Sequence, residues 1–98
     1  MGMIEVRQTD VFLTWLDSLW DNNARLRIAA RIRRMEGGNP GDWKSVGHGV
    51  SEMRIDWGPG YRLYYVHRGD EIVILLCGGD KTTQETDIRR AKEMARDV

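Results

Sequence analysis

One run of six residues constrains the fold of this chain more than any other feature. Ile72 to Cys77 reads Ile-Val-Ile-Leu-Leu-Cys, has no polar position and begins with three β-branched residues. Side chains alternate between the two faces of a sheet, so neither face of such a strand can be left in water. The run therefore predicts a strand in the middle of a sheet, with other elements packed on both of its faces.

The length and charge of the chain limit the number of domains and the kinds of partner that it can have. The chain has 98 residues, enough for a single domain over residues 1–98 with one modest core. Its 15 basic residues balance its 15 acidic residues, so the overall charge does not indicate a nucleic-acid partner. Five arginines nevertheless fall between Arg25 and Arg34. The sequence predicts a local basic surface on a neutral protein.

The apolar runs, the first residues and the single cysteine predict where the protein is located. No run approaches the roughly 20 apolar residues that span a bilayer, and the first six residues do not resemble an export signal, so we expect no membrane partner. The single cysteine, Cys77, lies in the apolar run, where a small core residue is the expected role. These features are typical of a protein of the reducing cytoplasm.

Periodicity predicts the other elements. Met3 to Arg7 alternates as a strand, and apolar spacing predicts a helix that begins near Val11 after Thr9 or Asp10 and a second helix that ends near Glu36. An irregular loop from Gly37 to Gly49, anchored by Trp43, is expected next. Three strands and a last helix, capped by Thr82 and Glu85, complete the order β-α-α-β-β-β-α. The predicted fold is α+β, a helical hairpin packed on a twisted, mainly antiparallel four-stranded sheet with a C-terminal helix.

Two neighbouring strands bring charged side chains to one face. If Met53 and Ile55 point into the core, Glu52 and Arg54 stand on the opposite face. Arg62 joins them from the next strand across the turn of residues 57–60, and the two arginines can then hold one phosphate. The alternative is an ordinary exposed face with weak Arg–Glu pairs.

Gly78-Gly79-Asp80-Lys81 follows the buried strand and leads into the last helix. Lys81 is therefore expected beside free N–H groups at the positive end of a helix dipole, a position that suits an anion. A plain tight connection is the alternative, because the glycine pair matches no nucleotide-binding motif.

Further basic and titratable residues are candidates for RNA contact. Arg27, Arg31 and Arg34 form one stripe on the second helix, either a solvated face or a docking surface for RNA phosphates or an acidic partner. His48 precedes the polar strand and can transfer protons near neutral pH. The two histidines of the chain lack neighbouring ligands at metal-binding spacing, so we expect no metal and no cofactor.

Three stretches together resemble a known family. They are Glu52 to Asp56, Gly58 to Tyr65, and Leu75 to Lys81 followed by Gln84 and Asp87-Ile88. They resemble the RelE/ParE toxin superfamily, in its HigB-like, phage-derived addiction module killer protein branch. The arginine-rich second helix and the loop of residues 37–42 are similar to the same branch, so the resemblance covers nearly the whole chain.

The resemblance implies the toxin of a type II toxin–antitoxin pair. Its partners would be a helix-turn-helix, HigA-like antitoxin, operator DNA through the antitoxin complex only, and messenger RNA in the ribosomal A site. RelE and HigB relatives cleave that RNA as mRNA interferases, with the 2′-hydroxyl attacking the adjacent phosphate, and need no metal. The protein then supplies positioning, charge stabilisation and proton transfer.

Carried over by position, Arg62 matches the phosphate-binding arginine of the Gly-Tyr-Arg motif, and Lys81 matches a basic residue just after the last strand. Arg54 is then expected to stabilise the transition state, with Glu52 as base. Because Asp87 stands where RelE has a stacking tyrosine, Tyr64, His48 or Trp57 are the candidates for stacking or proton transfer.

Two other functions fit the same scaffold. One is a ParE-like toxin that binds DNA gyrase without cutting RNA, and the other is an inactive, toxin-derived repressor subunit. The basic cluster of Arg54, Arg62 and Lys81 favours the endoribonuclease over the gyrase inhibitor.

Overall fold

The computed structural model describes residues 3–98, so residues 1 and 2 of the predicted domain lie outside the described part. It contains the predicted elements and one more strand. In chain order the elements are β1 (Glu5–Gln8), α1 (Asp10–Ser18), α2 (Asn22–Glu36), β2 (Trp43–Gly47), β3 (Val50–Ile55), β4 (Tyr61–Arg68), β5 (Ile72–Gly79) and α3 (Gln84–Ala95).

The sheet is mixed, with strand order β1-β5-β4-β3-β2. β1 pairs with β5 in parallel, and the other neighbours are antiparallel. The predicted α+β architecture is confirmed, but the strand count of four is wrong. Residues Trp43–Gly47, expected as part of an irregular loop, pair with β3 as an edge strand. The strand has only five residues, and its pairing with β3 is broken by a register shift between Ser45 and Gly47. Its sequence shows no clear alternation of polar and apolar residues.

The apolar run does have elements on both faces. Val73 and Leu75 pack into one core with Phe12 of α1 and the apolar side of α2. Leu76 and Cys77 pack into a second core with Ala91 of α3. β5 therefore lies between two helical layers, as predicted, although β4 occupies the centre of the five-strand order. Burial raises the pKa of Cys77 to about 12, with the charge of Asp87 adding to the effect, in keeping with a core thiol.

Two of the three helices begin after a residue whose side chain caps the helix. Thr9 caps α1, its side chain accepting from the Phe12 amide at 3.1 Å, and Asp21 caps α2. The predicted cap of the last helix, formed by Thr82 and Glu85, is wrong. Thr83 is the N-cap of α3 and makes no side-chain cap bond, while the Thr82 amide and hydroxyl donate to Asp80. Within residues 3–98, every helix is too short or too polar to cross a membrane.

Candidate active site

Arg54 and Arg62 face each other across the β3–β4 hairpin. They are direct register partners, and both side chains are half-buried. Their face is fixed by their neighbours, because Met53 and Leu63 are fully buried in the core under α1 and α2. The two guanidinium groups therefore project from the sheet face that carries α3, and the prediction that they share a face is confirmed.

Lys81 joins the two arginines around an open pocket of about 330 Å³. The Lys81 side chain approaches the hairpin turn closely: its Cβ lies 3.5 Å from where a Cβ on Gly60 would stand. Gly60 also has a φ of +82°, which favours glycine. The pocket is lined by Asp42, Arg54, Ile55, Asp56, Gly58, Pro59, Gly60, Arg62 and Lys81.

Arg62 is the cation of the pocket that has a buried donor without a partner. Its Nη1 donates to the Gly60 and Tyr61 carbonyls, both at 3.3 Å, and its buried Nε has no partner. Across residues 3–98 the ion pairs within 4.0 Å are Arg7–Glu5 and Arg54–Glu52, so neither Arg62 nor Lys81 is paired with a carboxylate. A buried donor without a partner is costly, and the Arg62 guanidinium has further N–H groups that can bind an anion in the pocket.

Glu52 does not line this pocket. Its side chain is fully buried beneath α3. The carboxylate accepts from Arg54 Nε at 3.1 Å, from the Tyr64 hydroxyl at 3.0 Å and from Gln84 Nε2 at 2.7 Å. Burial raises the pKa of Glu52, but the bonds from Gln84, Arg54 and Tyr64 and the charge of Arg54 outweigh it and leave the pKa below its usual value.

This environment corrects the expectation that Glu52 is the general base. A base must reach the proton that it removes, and a buried carboxylate with three donors cannot reach a substrate in the pocket. Glu52 instead holds the Arg54 guanidinium and ties β3 to the first residue of α3.

The expectation that Tyr64 stacks on a nucleotide is also corrected. Its ring is fully buried in the core beneath α3. Burial, then the charge of Glu52 and the hydrogen bond to it, raise the pKa of Tyr64 far above its usual value. The hydroxyl therefore stays protonated and serves as a fixed donor to Glu52.

The junction before α3 differs from the predicted anion cradle. The Asp80 carboxylate accepts from the Thr82 amide at 2.8 Å and from the Thr82 hydroxyl at 2.6 Å, and these bonds lower the pKa of Asp80. The helix begins only at Gln84. Lys81 is exposed. Because the helix begins three residues later, what Lys81 offers to an anion is the charge of its own ammonium group.

The glycine pair has a packing role. A Cβ on Gly78 would overlap the Trp15 ring, and a Cβ on Gly79 would overlap the Asp87 carboxylate. The two glycines therefore let α1 and α3 approach opposite faces of the end of β5.

The three arginines of the predicted stripe on α2 have different surroundings. Arg31 donates from Nη1 to the Arg54 carbonyl at 2.6 Å and from Nη2 to the Pro40 and Asp42 carbonyls, and its pKa is lowered, first by burial. Arg27 lies over the Trp57 ring at 3.8 Å, and Arg34 is exposed. Arg31 therefore joins α2 to the segment before β2, which corrects its expected role as an RNA contact.

His48 is not brought to the pocket. It lies in the β2–β3 turn, at the opposite end of β3 from Arg54. Four residues of strand from Val50 to Arg54 span about 13 Å at roughly 3.3 Å per residue. His48 therefore cannot transfer a proton at a phosphate held by Arg62.

The structure adds residues that sequence reasoning missed. Asp42 and Asp56 line the pocket and offer carboxylates there. Trp57, which the sequence analysis did name as a candidate for stacking, donates from Nε1 to Asp21 at 3.3 Å and carries Arg27 on its ring, which fixes the hairpin turn to α2. The signal for Asp56 was its alternation with Arg54, whereas Asp42 comes from a distant loop that sequence spacing could not place.

The site as a whole suits a phosphate group. Two guanidinium groups and one ammonium group surround an open pocket, and forked N–H donors match phosphate oxygens. Within residues 3–98, His, Cys, Asp and Glu side chains form no cluster of three or more that could hold a metal ion.

Comparison with known proteins identifies the family and the fold of the chain. The family model "Phage derived protein Gp49-like" matches residues 14–97. An uncharacterized protein of Haemophilus influenzae is 47% identical over 95 residues, covering 97% of this chain and 96% of that protein. The solved structure of an E. coli RelE toxin mutant in the free state superposes with a TM-score of 0.69 at 16% identity, covering 95% of this chain and 98% of that chain. The expected RelE-like fold is confirmed, and the matching family model agrees with the phage-derived family that the sequence resembles.

Proposed function

Because this chain belongs to the phage-derived Gp49-like family, we propose that it is the toxin of a type II toxin–antitoxin pair and cleaves messenger RNA in the ribosomal A site. The observation that carries the proposal is the pocket in which Arg62 and Lys81 stand without acidic partners beside Arg54. The RelE fold of the chain supports the choice of an RNA phosphate as its occupant.

In the proposed reaction the 2′-oxygen bonds to the adjacent phosphorus and the bond from phosphorus to the 5′-oxygen breaks. The products are a 2′,3′-cyclic phosphate and a free 5′-hydroxyl. Negative charge on the phosphoryl oxygens rises in the transition state, and Arg62 and Arg54 stabilise it. Glu52 contributes by fixing the Arg54 guanidinium, so that this donor needs no reorganisation when the charge develops.

Proton transfer is proposed for side chains that line the pocket. Lys81 is placed to stabilise or protonate the departing 5′-oxygen. Asp42 and Asp56 are the carboxylates of the same pocket and can accept the proton of the 2′-hydroxyl. This assignment replaces Glu52 and Tyr64, which the structure buries.

The proposal includes partners and a location. A HigA-like helix-turn-helix antitoxin neutralises the toxin and binds operator DNA, and the toxin reaches DNA through that complex. The ribosome presents the messenger RNA, which places the active protein in the cytoplasm. An adjacent gene for a small helix-turn-helix protein is the expected genomic context.

Expression in cells tests this function. The wild-type chain and the variants Arg62→Ala and Lys81→Ala are induced, growth is followed, and the 5′ ends of messenger RNAs are mapped. We expect growth arrest with new 5′ ends within codons for the wild type, and neither effect for Arg62→Ala. Arg33→Ala removes an exposed arginine that does not line the pocket and should behave as the wild type.

Three outcomes would contradict the proposal. Growth arrest with intact messages and trapped gyrase would identify a ParE-like inhibitor. Unchanged cleavage by both pocket variants would show that the pocket of Arg54, Arg62 and Lys81 is not the site. A wild-type chain that neither arrests growth nor cleaves RNA, yet represses an operator with its antitoxin, would identify a repressor subunit.

A further inference from the structure

In the order of their lining residues, three hollows extend from the β3–β4 turn along α3. The first is the candidate active site, whose lining includes Lys81. The second also contains Lys81 and continues over residues Thr82, Gln84, Glu85 and Ile88. The third, about 440 Å³ in volume, lies between α3 and the β2–β3 turn and is lined by His48, Arg89, Lys92, Glu93, Ala95 and Arg96.

The second and third hollows share one flank of the helix. Gln84, Ile88 and Lys92 are spaced by four residues and so lie in one row on α3. At one end of the row, Gln84 donates to Glu52 of β3. At the other end, Lys92 Nζ lies 3.4 Å from where a Cβ on Gly47 would stand. The row therefore faces β2 and β3, whereas Arg90 lines a different hollow with α1.

Both ends of this series carry clustered cations. The third hollow has Arg89, Lys92 and Arg96 against the single carboxylate of Glu93. The first hollow has three cations against two carboxylates. The third hollow therefore has an excess of positive charge on a chain of zero net charge, and in the first hollow Arg62 and Lys81 have no carboxylate within 4.0 Å among residues 3–98.

The turn at the third hollow has an unusual backbone. Gly47, His48 and Gly49 all have positive φ, at 96°, 56° and 79°. Within residues 3–98, His48 is the one residue other than glycine in that region of φ, which non-glycine residues rarely adopt. The turn leaves the His48 ring exposed at the rim of the hollow, where a base can stack on it.

The spacing of the two clusters sets the size of the ligand. The 12 residues of α3 span about 18 Å at 1.5 Å per residue, so a single phosphate cannot bridge both ends. A flexible polyanion can. We propose that the three hollows form one track for single-stranded RNA, with the scissile phosphate at Arg62 and flanking backbone phosphates at Arg89, Lys92 and Arg96.

This inference rests on the proposed function, because it takes the occupant of the first hollow to be an RNA phosphate. The second hollow shares Lys81 with the first, and Ile88 at its other end precedes Arg89 of the third in sequence, so one extended strand can follow all three. The forked guanidinium groups of Arg89 and Arg96 also match backbone phosphates.

RNA binding by the full chain at low ionic strength tests the track. The probes are fluorescein-labelled 2′-O-methyl RNAs, which the proposed reaction cannot cleave, one a trinucleotide and one of roughly 12 nucleotides, within the range of single-strand sites. Affinity is measured by fluorescence polarisation over a salt series for the wild type, Arg62→Ala, the triple variant Arg89→Ala/Lys92→Ala/Arg96→Ala and the control Arg33→Ala/Arg90→Ala. A labelled poly-glutamate peptide is measured in the same way.

We expect the triple variant to bind the longer RNA more weakly and with a shallower salt dependence. Three lost phosphate contacts reduce the slope of log K against log salt by about 2, at roughly 0.7 per contact. Trinucleotide binding, which needs the first hollow only, should be unchanged. The control should keep the wild-type slope for both probes, because its two arginines lie off the track.

Other results would overturn the track and separate it from the function. If Arg62→Ala weakens both probes but the triple variant matches its control, the track is wrong and the phosphate site stands. If neither Arg62→Ala nor the triple variant changes binding, or no RNA binds, both proposals fail. A triple variant that loses binding to a poly-glutamate peptide but keeps RNA would identify an acidic protein segment as the occupant of the third hollow.

Discussion

Replacing Glu52 with glutamine tests how the site is held together. The carboxylate accepts three hydrogen bonds with its two oxygens, one from Arg54 at Oε1 and two, from Tyr64 and Gln84, at Oε2. An amide keeps the shape but offers one acceptor oxygen, and its NH₂ group then faces at least one donor. A hydrogen bond to a charged group contributes about 1.5–3 kcal/mol. Loss of one such bond, with partial loss of the others, predicts a destabilisation of about 2–4 kcal/mol.

Urea unfolding of the purified protein measures this effect. The midpoint should fall for Glu52→Gln with little change in the slope, because the surface exposed on unfolding stays the same. Glu5→Gln is the matched control, since Glu5 is exposed and, among residues 3–98, pairs only with Arg7, and an exposed pair contributes little. Equal midpoints for the two variants would refute the reasoning.

The pH dependence of the free energy of unfolding tests the same carboxylate in a second way. The pKa of Glu52 is below its usual value in the folded chain, so the stability that it contributes is present above the unfolded pKa and is lost as pH falls through the folded pKa. Wild type should therefore lose more stability than Glu52→Gln between about pH 5 and pH 2. Parallel pH curves for both proteins would show that the carboxylate is not stabilised by its donors.

Two further substitutions test packing around the site. Gly79→Ala places a Cβ against the Asp87 carboxylate, and overpacking of this kind predicts a loss of about 1–3 kcal/mol in urea unfolding. Gly37→Ala, where the nearest atom stays 3.4 Å away, should be tolerated, and equal losses would contradict the close approach. Arg31→Ala removes donors to three backbone carbonyls and should cost about 1–3 kcal/mol, whereas Arg33→Ala should change the midpoint little. If Arg31→Ala is as stable as Arg33→Ala, the bonds from Arg31 to these carbonyls do not stabilise the fold.

The fold could be predicted where local patterns carry the information. The apolar run of β5 predicted two covered faces, and the alternation of β3 and β4 predicted that Arg54 and Arg62 share one face. Strand β2 could not be predicted, because its partner β3 and a register shift, rather than its own alternation, define it.

The site was predictable in part for a similar reason. Period two places Glu52 and Tyr64 on the same face as the arginines, but it does not say how far α3 covers that face. The position of α3 depends on long-range packing, such as Ala91 against Leu76 and Cys77. That packing buries Glu52 and Tyr64 and leaves Arg62 and Lys81 at the open edge. Arg31 was misassigned because helix spacing cannot show which carbonyls lie beside a helix.

Single-turnover cleavage of messenger RNA on programmed ribosomes tests the central claim most directly. The purified chain should cut the message in the A site and leave 2′,3′-cyclic phosphate and 5′-hydroxyl ends. Arg62→Ala should slow this step by about 100- to 1000-fold, the effect of removing one preorganised donor, while Arg33→Ala keeps the wild-type rate. Cleavage by Arg62→Ala at the wild-type rate, or intact message with the wild-type chain, would contradict the claim that this pocket holds the scissile phosphate.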